Sequence, residues 1–207
     1  MYRVDSGALS SAMDRIERWF AENVEPDYFA DGRTDGTGPL AALHARWDGQ
    51  RGDVNFYDGF ELLGVEESAA EQAMMDKLAL EEDWPSTWWS ADWQPFGTDR
   101  CGQLLVVDVK TGEVLEFLHD DDARPSHAES LEAFLTTYAA QLESGERVLK
   151  DGYIVDPIAQ AEIEAKLEAM QQRRKDAQAE RERKSRPVLF ALFAVIIIVL
   201  LIALLQR

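Results

Sequence analysis

From Val188 to Leu205 no side chain is polar or charged; the run reads Val-Leu-Phe-Ala-Leu-Phe-Ala-Val-Ile-Ile-Ile-Val-Leu-Leu-Ile-Ala-Leu-Leu. At 1.5 Å per residue these 18 residues extend about 27 Å as a helix, close to the hydrocarbon thickness of a bilayer. A helix satisfies every backbone group in a medium without water, and apolar surface on all sides suits lipid better than one core-facing stripe. Pro187 fits the first helical turn. The run therefore predicts a transmembrane helix over residues 187–205. Arg173, Arg174, Lys175, Arg181, Arg183, Lys184 and Arg186 precede it, against Arg207 after it. The positive-inside rule then places the N-terminal part in the cytoplasm, tethered to the cell membrane by a single pass. The opening Met-Tyr-Arg-Val-Asp-Ser-Gly lacks the basic start and apolar run of a signal peptide, so the expected layout is that of a tail-anchored protein.

The flanks also divide the charge. Residues 1–164 hold 35 acidic and 12 basic side chains, a net of -23, whereas residues 165–207 hold 4 and 9, a net of +5. A domain this acidic lacks the Lys and Arg excess that phosphate binding requires, so nucleic acid is excluded as the expected partner. Hydrophobic residues at 46% and six Trp supply a core and argue against disorder. One cysteine, Cys101, allows no internal disulfide.

Leu9, Met13, Ile16 and Phe20 recur at helical spacing and predict an amphipathic helix ending before Pro26. Residues 29–38 read as a loop, Leu40–Trp47 as a short helix, and Phe60–Leu63 as a short strand. Ser68 with Glu71, and Ser126 with Glu129, have capping-box spacing and are expected to open two helices. The second carries a stripe at Leu131, Phe134, Leu135, Tyr138 and Leu142 before Gly145. Leu104–Val109 and Val114–Leu118, joined through Lys-Thr-Gly-Glu, predict a hairpin. Helices and strands mix without β-α-β alternation, so the expected class is α+β. From Pro157 the composition turns to Ala, Gln, Glu, Lys and Arg, predicting a helical stalk over 157–186 after a domain of residues 1–156. Its stripe at Ala159, Ile163, Leu167 and Met170 fits docking on the domain, a homodimeric coiled-coil contact or a solvated helix.

Four of the six Trp lie between Trp84 and Trp93, and the run continues Gln-Pro-Phe-Gly-Thr-Asp-Arg-Cys-Gly-Gln-Leu-Leu-Val-Val-Asp. Trp93, Pro95, Phe96 and Gly97, then Asp99 and Gly102, then Asp108 and Gly112, then Ala128, Ser130, Leu131, Phe134 and Leu135 follow the order of a known pattern. On these residues the segment 10–148 resembles the SUKH superfamily, the Smi/Knr-type domain of a fungal cell-wall regulator and of many bacterial toxin-immunity proteins. The resemblance implies a mixed sheet with packed helices, a protein-binding function and no cofactor. It departs from the pattern at Arg100 and Gln103, where the family more often has Gly and Asn, and over Val24–Gly38. By their own chemistry the motif residues read as mainly structural: Pro95 keeps the chain extended, while Gly97 and Gly102 let it turn.

Trp88 and Trp89 are adjacent in an extended segment and point to opposite faces, so either one is an exposed partner anchor or both fill the core. Asp120, Asp121 and Asp122, between His119 and His127, are a second candidate contact. Consecutive carboxylates converge poorly on one ion, so no metal site is expected there, although a metal-dependent hydrolase would have to use them. No nucleophile-base pair or phosphate loop is present, so no catalytic residue is assigned. The expected function is a non-enzymatic, membrane-tethered binder of a protein partner, a basic toxin being the partner that immunity proteins imply. A membrane-attached regulatory scaffold for cell-wall or envelope synthesis is the alternative.

Overall fold

The computed structural model describes residues 6–178. The end of the expected stalk, 179–186, and the apolar run Val188–Leu205 lie outside the described residues, among which no helix is long and apolar enough to cross a membrane. The chain divides into two compact units, Met1–Pro157 and Ile158–Arg207. In the second, residues 158–178 are helical, and Ile163, Leu167 and Met170 stand about half exposed.

The first unit is a mixed α+β structure. Helix α1 (Ser6–Asn23) buries the stripe Leu9, Met13, Ile16 and Phe20. Strand β1 (Phe29–Asp31) pairs antiparallel with β2 (Trp47–Gln50), so part of the expected loop is strand. Helix α2 (Ala41–Arg46) lies between them, and Trp47 opens β2 instead of closing the helix. Then come β3 (Glu61–Leu62), α3 (Val65–Glu81), β4 (Trp93–Thr98), β5 (Leu104–Asp108), β6 (Val114–Phe117), β7 (Ser126–Ala128), α4 (Leu131–Ser144), β8 (Val148–Lys150) and β9 (Tyr153–Val155).

Strands β3 to β7 form one antiparallel meander in sequence order. Leu105, Val107 and Val114 join α1 and α4 in the main core, while Leu104, Val106, Leu115 and Phe117 join Met75 of α3, Trp89 and Trp93 in a second core. Both faces of the sheet are covered, which is why β5 reads Leu-Leu-Val-Val without polar alternation. In β4 the register slips between Pro95 and Gly97. The slip turns Phe96 into the main core, and a Cβ at Gly97 would stand 3.2 Å from the Leu105 side chain.

Two helix starts differ from their expected caps. α3 begins at Val65, whose N–H is bonded by Asp48 Oδ1 at 2.7 Å, while Glu67 Oε2 accepts from Gly64 N at 3.4 Å. Ser68 is buried in the first turn and donates to the Pro95 carbonyl at 2.5 Å, tying helix to sheet. α4 is capped by Ser130, whose Oγ accepts from Ala133 N at 3.1 Å, and Ser126 belongs to β7. The helix ends at Gly145 with φ 78°, a left-handed cap that glycine adopts without penalty.

Candidate functional site

The motif residues are bonded to one another and to the backbone beside them. Trp93 pairs with Asp108 across β4 and β5, and its indole Nε1 donates to Asp108 Oδ2 at 3.2 Å. Asp108 Oδ1 accepts from Lys110 N at 2.7 Å and Thr111 N at 3.0 Å, and Gly112 N returns to the Asp108 carbonyl at 2.7 Å with φ 83°. One carboxylate thus shapes the hairpin turn and holds the motif tryptophan.

Asp99 does the same for the preceding turn, where Oδ1 accepts from Cys101 N and Gln103 N, both at 2.8 Å. Arg100 stands there at φ 59°, a left-handed conformation that accounts for the family glycine. Its guanidinium meets Glu61 Oε2 at 2.7 Å and Glu67 Oε1 at 3.5 Å. Gly102, at φ 109°, lies against the His119 ring. Phe134 packs edge-on to Phe96 at 5.7 Å in the main core. Pro95 gives its carbonyl to Ser68, as described above.

Trp88 and Trp89 part company. Trp89 is buried, donates from Nε1 to Asp76 Oδ1 at 2.8 Å, and packs edge-on to Trp93 and Phe117. It presents no surface to a partner. Trp88 is half-buried, beside the half-buried Trp84 at 6.3 Å between ring centroids. Of the two, Trp88 holds the surface position.

Asp120, Asp121 and Asp122 are exposed in the loop between β6 and β7. Asp121 Oδ1 accepts from Ala123 N at 2.8 Å, closing a local turn. Arg124 brings this loop to Trp88. Its Nη2 and Nε donate to the Trp88 carbonyl at 2.8 and 3.2 Å, and its Nη1 donates to the Asp121 carbonyl at 2.6 Å and to that of Ala123. The guanidinium lies 5.0 Å from the Trp88 ring centroid and 4.7 Å from that of Phe117. Burial weakens its hold on its proton, and the charges of Asp122 and Asp121 act against that.

Two candidate features 32 residues apart in sequence, Trp88 and Asp120, thus share one surface. Arg124 is the residue that sequence reasoning missed. A single Arg after three Asp reads as an exposed ion pair, and nothing local signals that its bonds go to carbonyls.

His127 Nε2 stands 2.9 Å from Glu116 Oε2 and its ring faces Tyr57, so it turns away from the aspartates. Among the described residues no three His, Cys, Asp or Glu side chains converge as a metal ion requires. Cys101 is exposed. His44 is buried under Gly36, and burial pushes its imidazole below the ordinary value against the pull of Asp48.

A family model described as SMI1 / KNR4 family (SUKH-1) matches residues 29–137, a span that holds β1 to β7, every motif turn, Trp88 and the acidic loop. No curated protein matches the chain.

Proposed function

Since the chain belongs to the SMI1 / KNR4 family (SUKH-1), we propose that it is a non-enzymatic, membrane-tethered protein-interaction domain of the immunity type, which binds a toxin and blocks it. The carrying observation is the surface that joins half-buried Trp88 to the three exposed carboxylates of Asp120, Asp121 and Asp122. An aromatic ring supplies buried contact area, and carboxylates around it select a basic partner and speed its approach. The mechanism is occlusion: a partner held by its cationic surface cannot present that surface to its own target.

The anchor supports where this happens. The run Val188–Leu205 and the basic residues before it suit a single pass of the cell membrane with the domain on the cytoplasmic side. A binder held there intercepts a toxin as it enters, or one that acts on the membrane.

Three experiments test this reading. Co-expression with toxins encoded beside the gene should restore growth, and the variant carrying Trp88→Ala with Asp120, Asp121 and Asp122 all changed to Asn should lose the protection. Removal of residues 187–207 should move the protein to the soluble fraction; a truncated form that stays with membranes refutes the anchor. Affinity purification that recovers envelope enzymes and no toxin would assign the chain to cell-wall or envelope regulation instead.

A further inference from the structure

We infer that Arg124 is the positioning residue of this contact surface, joining its aromatic and acidic halves while leaving the carboxylates unpaired; this rests on the reading of the surface proposed above. Among the described residues, the hydrogen bonds between Trp88 and the loop all run through one guanidinium, which reaches the carbonyls of Trp88, Asp121 and Ala123. The planar cation between the rings of Trp88 and Phe117 makes the loop's position depend on the aromatic segment.

The choice of acceptor matters. Arg15, Arg33, Arg46, Arg51, Lys77, Arg100, Lys110 and Arg147 each hold a carboxylate. Arg124, next to three aspartates, holds none: its bonds go to main-chain oxygens. Asp120 and Asp122 therefore keep their acceptor oxygens, in a loop that Arg124 ties to the half-buried Trp88. A segment presenting Lys or Arg next to an apolar side chain matches such a surface. The cation meets the free carboxylates, and the apolar group meets Trp84 and Trp88.

Charge and positioning predict opposite signs for one variant. Arg124→Gln makes the surface more negative, so on charge alone a cationic ligand should bind it more tightly. If Arg124 holds the surface together, the same change weakens binding. Arg124→Lys keeps the charge, but an ammonium on a flexible stem cannot span three carbonyls between two rings, so it should weaken binding as well.

The test uses the full chain in zwitterionic nanodiscs with the peptide Lys-Phe-Lys as probe and Glu-Phe-Glu as control, read by tryptophan fluorescence, alongside amide exchange over residues 119–124. Both variants should exchange faster there by roughly tenfold and bind the probe several-fold more weakly, the loss of about one buried hydrogen bond's worth of order. The salt dependence of Arg124→Gln should fall to that of the Asp120→Asn, Asp122→Asn double variant. Unchanged exchange with equal or tighter binding in Arg124→Gln overturns the inference. A wild-type protein that does not bind Lys-Phe-Lys sinks the basic-partner reading, while exchange at 119–124 still decides the role of Arg124. If Arg124→Gln melts globally, Arg124→Lys carries the same comparison.

Discussion

Asp108→Ala tests the placement of the motif most directly, because one side chain makes three bonds of different kinds. Two go to the exposed turn amides of Lys110 and Thr111, where water can substitute, so each is worth about 0.5–1 kcal/mol. The third is accepted from Trp93, a residue only 6% exposed, and removing it strands a donor at a further cost of about 1–3 kcal/mol. The total is about 3 kcal/mol, a large part of the stability of a domain this size. Residues 1–157 form one compact unit with its own core and are the fragment to use. At a urea slope of about 2 kcal/mol/M, the midpoint followed by tryptophan fluorescence should fall by about 1.5 M. Asp108→Asn keeps an oxygen for the turn and loses only the indole bond, so its cost should be smaller and should largely vanish when Trp93→Phe is already present. A midpoint shift below about 0.3 M in Asp108→Ala, or an undiminished Asn penalty beside Trp93→Phe, refutes the reasoning.

Ser130→Ala should cost about 1 kcal/mol as a lost N-cap, while Ser126→Ala, in an exposed edge strand, should stay within about 0.5 kcal/mol in the same urea titration. Ser68→Ala should cost about 1–3 kcal/mol because it leaves the Pro95 carbonyl without its buried donor; a value near zero would show that water replaces it. His44 gives a pH signature. Burial holds its folded-state affinity for a proton below the ordinary value of 6.5, so the unfolded chain takes up the proton first. Stability from this group is complete above 6.5 and declines as pH falls from there to the lowered folded value. Unfolding at about pH 7.5 and about pH 5.5 should show a smaller acid loss in His44→Phe than in wild type, and equal losses would remove His44 as the cause.

What could be read from the chain was what its local pattern encodes. The helix through Leu9, Met13, Ile16 and Phe20 announces itself by spacing, and the hairpin by two β-rich runs around Lys-Thr-Gly-Glu. The motif was legible as structure because Pro95, Gly97, Gly102 and Gly112 each state a backbone requirement. What stayed hidden depends on partners distant in sequence. Ser68 has the spacing of a cap, but Asp48 reaches in from β2 to take that role, so the helix starts four residues earlier. β1 contains Asp and β2 contains Asp and Gly, residues depleted in strands, and their pairing overrides propensity. Trp88 and Trp89 do diverge, but in a turn where both amides bond the Pro85 carbonyl and not in the extended segment expected, and which ring is buried depends on Asp76 and Phe117 on one side.

The same distinction governs how the acidity of this chain should be understood. A net of -23 over residues 1–164 suggests a uniform negative cloud, yet among the described residues at least eight cations of that stretch sit in ion pairs with carboxylates, so neutralisation is local in position. Arg33 and Arg46 each join two or more acids, and Arg100 bridges β3 to α3. Apart from the pair of buried Arg147 with Asp58, these are exposed or half-exposed and contribute little stability singly, so their main effect is to remove attraction from most of the surface. Where a cation is spent on carbonyls instead, as Arg124 is, its charge still acts on Asp121 and Asp122, but no ion pair among the described residues occupies the oxygens of Asp120 and Asp122 in the loop tied to Trp88. A field that is screened within about 10 Å at ordinary salt steers only what is already close, and the buried aromatic area must then hold it. On the proposed reading, specificity then has to come from pairing the two features at one place, because total charge alone does not distinguish one cationic partner from another.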